Sequence, residues 1–183
     1  MSLFLGIDLG TTYFKAGLWE AAGRQCGLGR APVPKISSGS RCELPVEAFW
    51  ESVKSCICEA IRQAGVSAAG ISALSYSSQA NSFVLLDASG GPLTPLILWS
   101  DHRARGECES LRALDATPGF TQTTGLGIAL DEEFMLSKLA WFQKHEAGIW
   151  RRTRYVMTIS DYLVYGLTGS RVGDRSTAAM TAM

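Results

Sequence analysis

A short segment near the start of the chain combines the residue types that bind phosphate. In Gly6–Lys15 (GIDLGTTYFK), Asp8 ends an apolar run and is followed by a glycine turn that carries Thr11 and Thr12. Backbone N–H groups at such a turn can bind an anion, and the hydroxyls add donors. A nearby carboxylate can hold hydrated Mg²⁺ that bridges phosphates. The pattern Asp-x-Gly-Thr, here Asp8 to Thr11, also occurs in plain hairpins, where the aspartate only hydrogen-bonds the loop. The segment alone therefore leaves open whether it binds phosphate or is an ordinary turn.

Two later segments carry side chains suited to sugar hydroxyls. The sequence Ser-Gln-Ala-Asn places amide groups at Gln79 and Asn81, after a strand-like stretch. Amides can donate to and accept from several hydroxyls. In Trp-Ser-Asp-His-Arg, the ring of Trp99 can stack on sugar carbons while Asp101 hydrogen-bonds hydroxyls or holds the loop. Each segment has a structural alternative, because Asn81 favours a turn and Asp101 is a good helix cap.

Strand-like segments come first along the chain and helical ones follow. The alternation of apolar residues predicts β-strands at Leu3–Leu9, Tyr13–Trp19, Gln25–Val33, Ile71–Ser75, Phe83–Asp87 and Leu96–Trp99. Spacings of three and four predict helices from Pro45 to a stop at Gly65, from Asp101 to about Leu114, over Glu133–Lys144 and over Tyr162–Leu167 before Gly169. The polar stretch Pro34–Leu44 is predicted to be a loop. This order indicates an α/β fold with a mixed sheet flanked by helices.

Composition narrows the class of protein. With 183 residues, the chain can form one domain or a compact pair of subdomains. Its 17 Lys and Arg balance 17 Asp and Glu, so we expect neither nucleic acid nor a membrane as partner. No apolar run approaches the roughly 20 residues of a membrane span, and the protein is expected to be soluble and cytoplasmic. Five irregularly spaced cysteines favour reduced thiols.

Several of these segments together resemble one known family. Gly6–Lys15 resembles the first phosphate motif of the superfamily that contains sugar kinases, hexokinase, actin and heat-shock-70 proteins. Further segments resemble consecutive blocks of the FGGY carbohydrate kinases, in particular the xylulokinase-like ones: Ile71–Gln79, Phe83–Asp87, Pro95–Arg103, Ile159–Gly169 and Asp174–Ala179. Any one of these matches would be weak alone, whereas collinear matches over nearly the whole chain are strong support.

The resemblance implies an actin-like, ribonuclease H-like fold of two domains around a cleft. Such a protein transfers the γ-phosphoryl group of ATP, with Mg²⁺, to a hydroxyl of a sugar or polyol. By this resemblance, Asp8 helps to organise Mg²⁺, and Gly10, Thr11 and Thr12 face the phosphates. Lys15 stands where the motif has a basic residue and supports the loop or its charge.

The resemblance also implies a substrate side formed by Gln79, Ala80, Asn81, Trp99 and Asp101. Ala80 and Asn81 stand where glycerol kinases have arginine followed by glutamate. This departure disfavours glycerol and favours a ketose such as xylulose as the substrate.

The catalytic aspartate of these kinases lies in a later Gly-Asp motif. Gly173-Asp174 belongs to a different block, so we expect the catalytic residue and the C-terminal nucleotide-binding domain beyond residue 183. Residues 1–183 would then be an N-terminal domain that stops before its end, in the apolar run Ala178–Met183. The isolated chain is expected to have no appreciable kinase activity.

Other functions remain open at this stage. A non-catalytic module of the same fold, which binds sugar or assembles with other proteins, is the main alternative. An actin- or chaperone-type ATPase would share only the first phosphate motif. The sequence leaves a homodimer open, and it assigns no role to His102, Glu133 or Asp174.

Overall fold

The computed structural model describes residues 2–127 and 129–181, and the chain divides into two compact units. Unit 1 comprises Met1–Pro34 and Leu44–Gln79, and unit 2 comprises Lys35–Glu43 and Ala80–Met183. Ala182 and Met183, at the end of the apolar run Ala178–Met183, lie outside the described residues.

Strands and helices succeed one another along the chain. In chain order they are β1 (Leu3–Leu9), β2 (Tyr13–Glu20), β3 (Gln25–Pro32), β4 (Ile36–Ser38), β5 (Arg41–Leu44), α1 (Val46–Ala64), β6 (Ile71–Ser78), β7 (Phe83–Leu86), β8 (Leu96–Ile97), α2 (Glu109–Asp115), α3 (Phe120–Thr124), α4 (Met135–His145), α5 (Ala147–Arg152), β9 (Tyr155–Thr158), α6 (Ile159–Thr168) and α7 (Arg175–Ala179). The predicted α/β fold with mixed sheets is confirmed.

Unit 1 contains a mixed four-stranded sheet with the order β3-β2-β1-β6. Strands β1 and β2 form the predicted antiparallel hairpin, and β6 runs parallel to β1. Along β1 every second residue is buried, which leaves the side chains between them, including Asp8, on the opposite face. The alternation therefore fixes which face of the sheet carries the polar side chain at the end of β1.

Helix α1 lies very close to strands β2 and β3 in unit 1. It buries Phe49, Val53, Cys56 and Ala60 along one face, and it ends, as predicted, at Gly65, which has a φ of 64°. A Cβ atom at Gly29 would lie 1.8 Å from the backbone oxygen of Cys56. The strand must therefore carry glycine where the helix backbone crosses it.

We expect Gly29→Ala to destabilise the chain by about 2–3 kcal/mol, because the added methyl group meets helix backbone that cannot rotate away. The measurement is the free energy of unfolding from urea titration. Gly70→Ala is the matched control, since its Cβ would meet nothing closer than 3.7 Å. Equal unfolding midpoints for the two variants would show that the helix can shift without cost.

Unit 2 contains a second sheet with the order β4-β5-β8-β7-β9. Strand β7 pairs antiparallel with both β8 and β9. Its core combines residues of β7, β8 and α4: Phe83, Leu85, Ile97, Met135, Leu139 and Phe142. Helix α4 thus contributes one face to the centre of this unit. Among the described residues, none of the helices combines the length and the apolar character needed to cross a membrane.

Two of the predicted elements are wrong. The stretch predicted as the loop Pro34–Leu44 contains β4 and β5, which pair around Gly39 at a φ of 59°. The helix predicted from Asp101 begins only at Glu109, after a series of turns. Smaller differences affect the ends of elements: β6 extends to Ser78, β8 ends at Ile97, and α4 covers Met135–His145.

Candidate functional site

The end of the β1–β2 hairpin carries an acidic and a basic side chain side by side. The antiparallel register places Asp8 directly opposite Lys15. Their side chains form an ion pair with an Nζ–Oδ2 distance of 2.9 Å, and they are 42% and 46% exposed. Because both groups remain accessible to solvent, each is available to a ligand that competes for it.

The loop between these strands is compact. A Cβ atom at Gly10 would lie 2.8 Å from the backbone oxygen of Tyr13, so a larger residue would force the loop open. Thr12 is exposed, and its backbone oxygen accepts a hydrogen bond of 3.0 Å from the N–H of Val33. Thr11 is half-buried in the same turn. The structure thus brings the predicted phosphate residues together at one end of the hairpin.

Gln79 holds the backbone of this loop. Its N–H donates to the oxygen of Leu9 at 3.0 Å, and its side-chain Nε2 donates to the oxygen of Gly10 at 3.3 Å. Sequence analysis placed Gln79 with the substrate residues, whereas these contacts tie it to the predicted phosphate loop. We therefore assign Gln79 a part in shaping that loop, and its contact with a substrate stays a prediction.

A groove of about 390 Å³ lies beside the ion pair on the same face of the sheet. Asp8 and Lys15 line it together with apolar side chains that include Trp19. The Trp19 ring lies against Gly6 and Gly17, where a Cβ atom would meet it at 2.9 and 2.1 Å. The groove has a size typical of small-molecule sites.

At its loop end, the hairpin offers Mg²⁺ one carboxylate, that of Asp8. No cluster of three or more His, Cys, Asp or Glu side chains that could hold a metal occurs in the described part of the chain. Mg²⁺ usually keeps several waters and binds one or two carboxylates together with substrate phosphates. Asp8 is suited to be such a carboxylate, provided that a nucleotide supplies the remaining oxygens.

In unit 2, Asn81 combines a strained backbone with a helix cap. Its φ of 58° makes it the one non-glycine residue with a positive φ among the described residues. Its Oδ1 accepts a hydrogen bond of 3.0 Å from the N–H of Met135, the first residue of α4. The oxygen of the Asn81 side chain is thus engaged within the protein, which leaves its NH₂ group as the part suited to a hydroxyl. Ala80, half-buried, precedes it.

The loop at Trp99 is held by its backbone. The N–H of Trp99 donates to the Oγ of Ser82 at 2.9 Å, and its oxygen accepts from the Nζ of Lys138 at 2.8 Å. The side chain is half-buried. Anchoring on both sides restricts the positions that the Trp99 ring can take.

Asp101 is completely buried, and donors of the protein surround its carboxylate. Oδ1 accepts from the backbone N–H and the Nε of Arg103 at 3.1 and 2.8 Å. Oδ2 accepts from the N–H of Cys42 at 2.7 Å and from the Arg103 guanidinium at 2.8 Å. Burial raises the pKa of Asp101, but these hydrogen bonds outweigh it and hold the pKa below its ordinary value. Its substrate contact remains a prediction that burial disfavours, and the structure supports a role in holding this loop.

Asp174 and His102, two residues without a role in the sequence analysis, each lie close to a polar neighbour in unit 2. Asp174 caps helix α7, since its carboxylate accepts from the N–H of Thr177 at 2.8 Å and from the Thr177 hydroxyl. These bonds hold the pKa of Asp174 below its ordinary value. The Nδ1 of His102 lies 3.5 Å from the Oε1 of Glu132. The helix cap gives Asp174 a role in local structure.

Sequence reasoning missed Lys138 and Ser82. Both are fully buried, and both hold the backbone of Trp99. A signal for Lys138 was present, because it lies three residues after Met135 and four before Phe142, on the apolar face of α4. A lysine at an inward position of an amphipathic helix is rare without a specific partner.

Comparison with known proteins identifies the family. Residues 3–183 match the model of the FGGY family of carbohydrate kinases, N-terminal domain, and the chain therefore belongs to this family. The resemblance inferred from the sequence motifs is thus confirmed.

Curated relatives of the chain are named as kinases for different substrates. A glycerol kinase from Brucella ovis is 36% identical over 97% of this chain, and a xylulose kinase from Streptomyces rubiginosus is 34% identical over 98%. A crystal structure described as a xyloylose kinase from Brucella ovis superposes with a TM-score of 0.89 and 30% identity over 98% of this chain. The chain spans 37%, 36% and 37% of these three proteins, respectively.

Proposed function

We propose that the protein that contains this chain transfers the γ-phosphoryl group of ATP to a hydroxyl of a sugar or polyol. The observation that carries this proposal is the β1–β2 loop, where Asp8 and Lys15 lie side by side and Gln79 holds the backbone of Gly10. In a member of a carbohydrate kinase family, an accessible acid and base at a tight loop are suited to a nucleotide phosphate with its metal.

The residues of this loop would act by positioning and by charge. Phosphoryl transfer requires little covalent chemistry from the protein. The hydroxyls of Thr11 and Thr12 and the loop N–H groups bind phosphate oxygens, and Asp8 holds Mg²⁺ or its water. Bound Mg²⁺ neutralises phosphate charge. The ammonium group of Lys15, which pairs with Asp8, would supply positive charge beside the phosphates.

For the acceptor we propose a ketose such as xylulose. The ring of Trp99 stacks on the sugar carbons, and the NH₂ group of Asn81 donates to a hydroxyl. Ala80 and Asn81 lack the charged pair found at this place in glycerol kinases, which disfavours glycerol. Relatives of both specificities have similar identities to this chain, so the preference rests on these two positions.

The test is a phosphorylation assay on the longest reading frame that contains this chain. ADP release is measured with ATP and Mg²⁺ against D-xylulose, other ketoses, aldoses, polyols and glycerol. We expect kcat/KM for the preferred ketose to exceed that for glycerol by about 100-fold or more, because a site built for several hydroxyls leaves polar groups unpaired with a smaller ligand. The isolated 183-residue chain is the control, and we expect no turnover from it.

The outcomes separate the alternatives. A preference for glycerol would contradict the ketose proposal and leave the kinase proposal intact. Sugar binding without phosphorylation of any acceptor would support a non-catalytic sugar-binding or assembly module. ATP hydrolysis without dependence on sugar would favour an ATPase.

A further inference from the structure

Lys138 is buried in a place where lysine is unusual. Lys138 is 0% exposed. It lies on the face of α4 that contributes Met135, Leu139 and Phe142 to the core of unit 2. Within the described residues, no carboxylate comes within ion-pair distance of its Nζ. Lysine is almost never fully buried without a partner, so the contacts of this ammonium group must satisfy it in another way.

Two backbone carbonyls accept hydrogen bonds from the ammonium group. Nζ donates to the oxygen of Trp99 at 2.8 Å and to the oxygen of Glu133 at 2.6 Å. Trp99 follows strand β8, and Glu133 lies just before α4, so one side chain joins two segments that are 34 residues apart in the chain. Hydrogen bonds from a charged donor are stronger than neutral ones and direct these carbonyls toward one point.

Asn81, a second predicted sugar residue, is also connected to the start of helix α4. Asn81 accepts the N–H of Met135, and Ser82, the next residue along the chain, accepts the N–H of Trp99. Lys138 completes this set of contacts, since its hydrogen bonds join Trp99 to the segment that leads into the helix capped by Asn81. The predicted sugar residues of unit 2 therefore share a single anchored backbone.

We propose that Lys138 is a positioning residue for sugar binding: its ammonium group holds the backbone of Trp99 and the start of α4, so that Trp99 and Asn81 meet the sugar in one fixed arrangement. This inference rests on the proposed function, because that function makes Trp99 and Asn81 the sugar contacts. Lys138 itself does not touch the sugar.

The ionisation of Lys138 provides a way to observe this role. Burial lowers the pKa of Lys138 to about 8, while the charges of Asp101, Glu133 and Asp131 oppose the decrease and that of Arg103 adds to it. The ammonium form therefore prevails below about pH 8 and is lost above it. A neutral amine still donates hydrogen bonds, but weaker ones. The hydrogen bonds from Lys138 to the carbonyls of Trp99 and Glu133 are therefore expected to weaken as the pH rises.

The first experiment needs no enzymatic activity. In this chain the dipeptide Trp-Ser occurs once, at Trp99-Ser100, so labelling tryptophan carbonyls with ¹³C and serine amides with ¹⁵N isolates a single correlation in an NMR spectrum. We expect the Trp99 carbonyl shift to titrate near pH 8 in the wild-type chain and to be flat in Lys138→Met. Lys144→Met is the control, because Lys144 lies on the same helix but pairs with Glu107 at the surface.

The second experiment measures sugar KM in the longest protein that contains the chain. We expect Lys138→Met to raise the KM for the sugar about tenfold or more, with the KM for ATP unchanged, because misplaced contacts weaken one substrate only. In the wild-type protein the sugar KM should rise above pH 8, and in the variant it should not.

The two experiments distinguish the failures. A Trp99 carbonyl shift that stays flat at every pH at which the wild-type chain is folded would overturn the positioning role, and this result requires no variant to fold. A carbonyl that titrates as expected, combined with an unchanged sugar KM in the variant, would overturn the link to the sugar. If the protein phosphorylates no sugar, the proposed function fails, and sugar positioning fails with it, whatever the spectrum shows.

Discussion

Asp8→Asn is expected to lower kcat/KM for ATP-dependent phosphorylation by about 100-fold or more, as removal of a single preorganised charged group in an active site typically does. The carboxylate lies at the end of β1, half-exposed and paired with Lys15. Asparagine keeps its shape but cannot hold Mg²⁺ as well, so the concentration of Mg²⁺ needed for half-maximal rate should rise. The measurement is ADP release as a function of Mg²⁺ concentration.

Glu20→Gln provides a matched control for Asp8. Glu20 is also a hairpin carboxylate paired with a cation, Arg24, but it lies at the far end of β2 from the loop. We expect this variant to keep wild-type kinetics. Thermal unfolding of Asp8→Asn should resemble that of the wild type, because a solvent-exposed ion pair adds little to stability. Activity of Asp8→Asn within twofold of wild type would exclude Asp8 from the metal site.

Asp101→Ala is expected to destabilise the chain by about 3–5 kcal/mol, because it leaves the guanidinium group of Arg103 buried without its main partner. The Arg103 side chain is 3% exposed, and among the described residues only Glu43 would remain as a carboxylate paired with it. The N–H of Cys42 would also lose its acceptor. The free energy of unfolding from urea titration measures the effect.

The contribution of Asp101 to the free energy of unfolding should decrease at low pH. Because the pKa of Asp101 in the folded chain lies below its ordinary value of 3.8, the carboxylate stabilises the folded state fully above about that pH. As the pH falls through the folded-state pKa, the stabilisation is lost, and the difference between wild type and Asp101→Ala should shrink. Glu59→Ala, which removes a surface partner of Arg62, should change stability little at any pH. A constant difference down to the lowest pH at which both proteins fold would contradict the charged pair.

The β1–β2 hairpin could be predicted from sequence because its signals are local. Alternating apolar residues define both strands, and the glycine turn between them sets the register that places Asp8 beside Lys15. Helix α1 could be predicted for the same reason, since its apolar spacing and the glycine at Gly65 lie within one segment.

The elements that sequence reasoning predicted wrongly depend on distant partners. Strands β4 and β5 have only three and four residues, and β5 becomes part of a sheet through β8, far along the chain. Asp101 has the side chain of a helix cap, but burial beside Arg103 and Cys42 gives its carboxylate stronger donors than a helix end offers. In both cases tertiary contacts, and not local propensity, determine the secondary structure that forms.

The sequence by itself determined the family and the hairpin loop, because collinear motifs and turn chemistry depend on neighbouring residues. Only the tertiary structure decided which polar groups remain available to a ligand. The partners of Asp101, Asn81 and Lys138 are Cys42, Met135 and Trp99, at separations of 59, 54 and 39 residues. A hydrogen bond across such a separation satisfies a polar group only after folding brings both partners together, and no local pattern of residues specifies it.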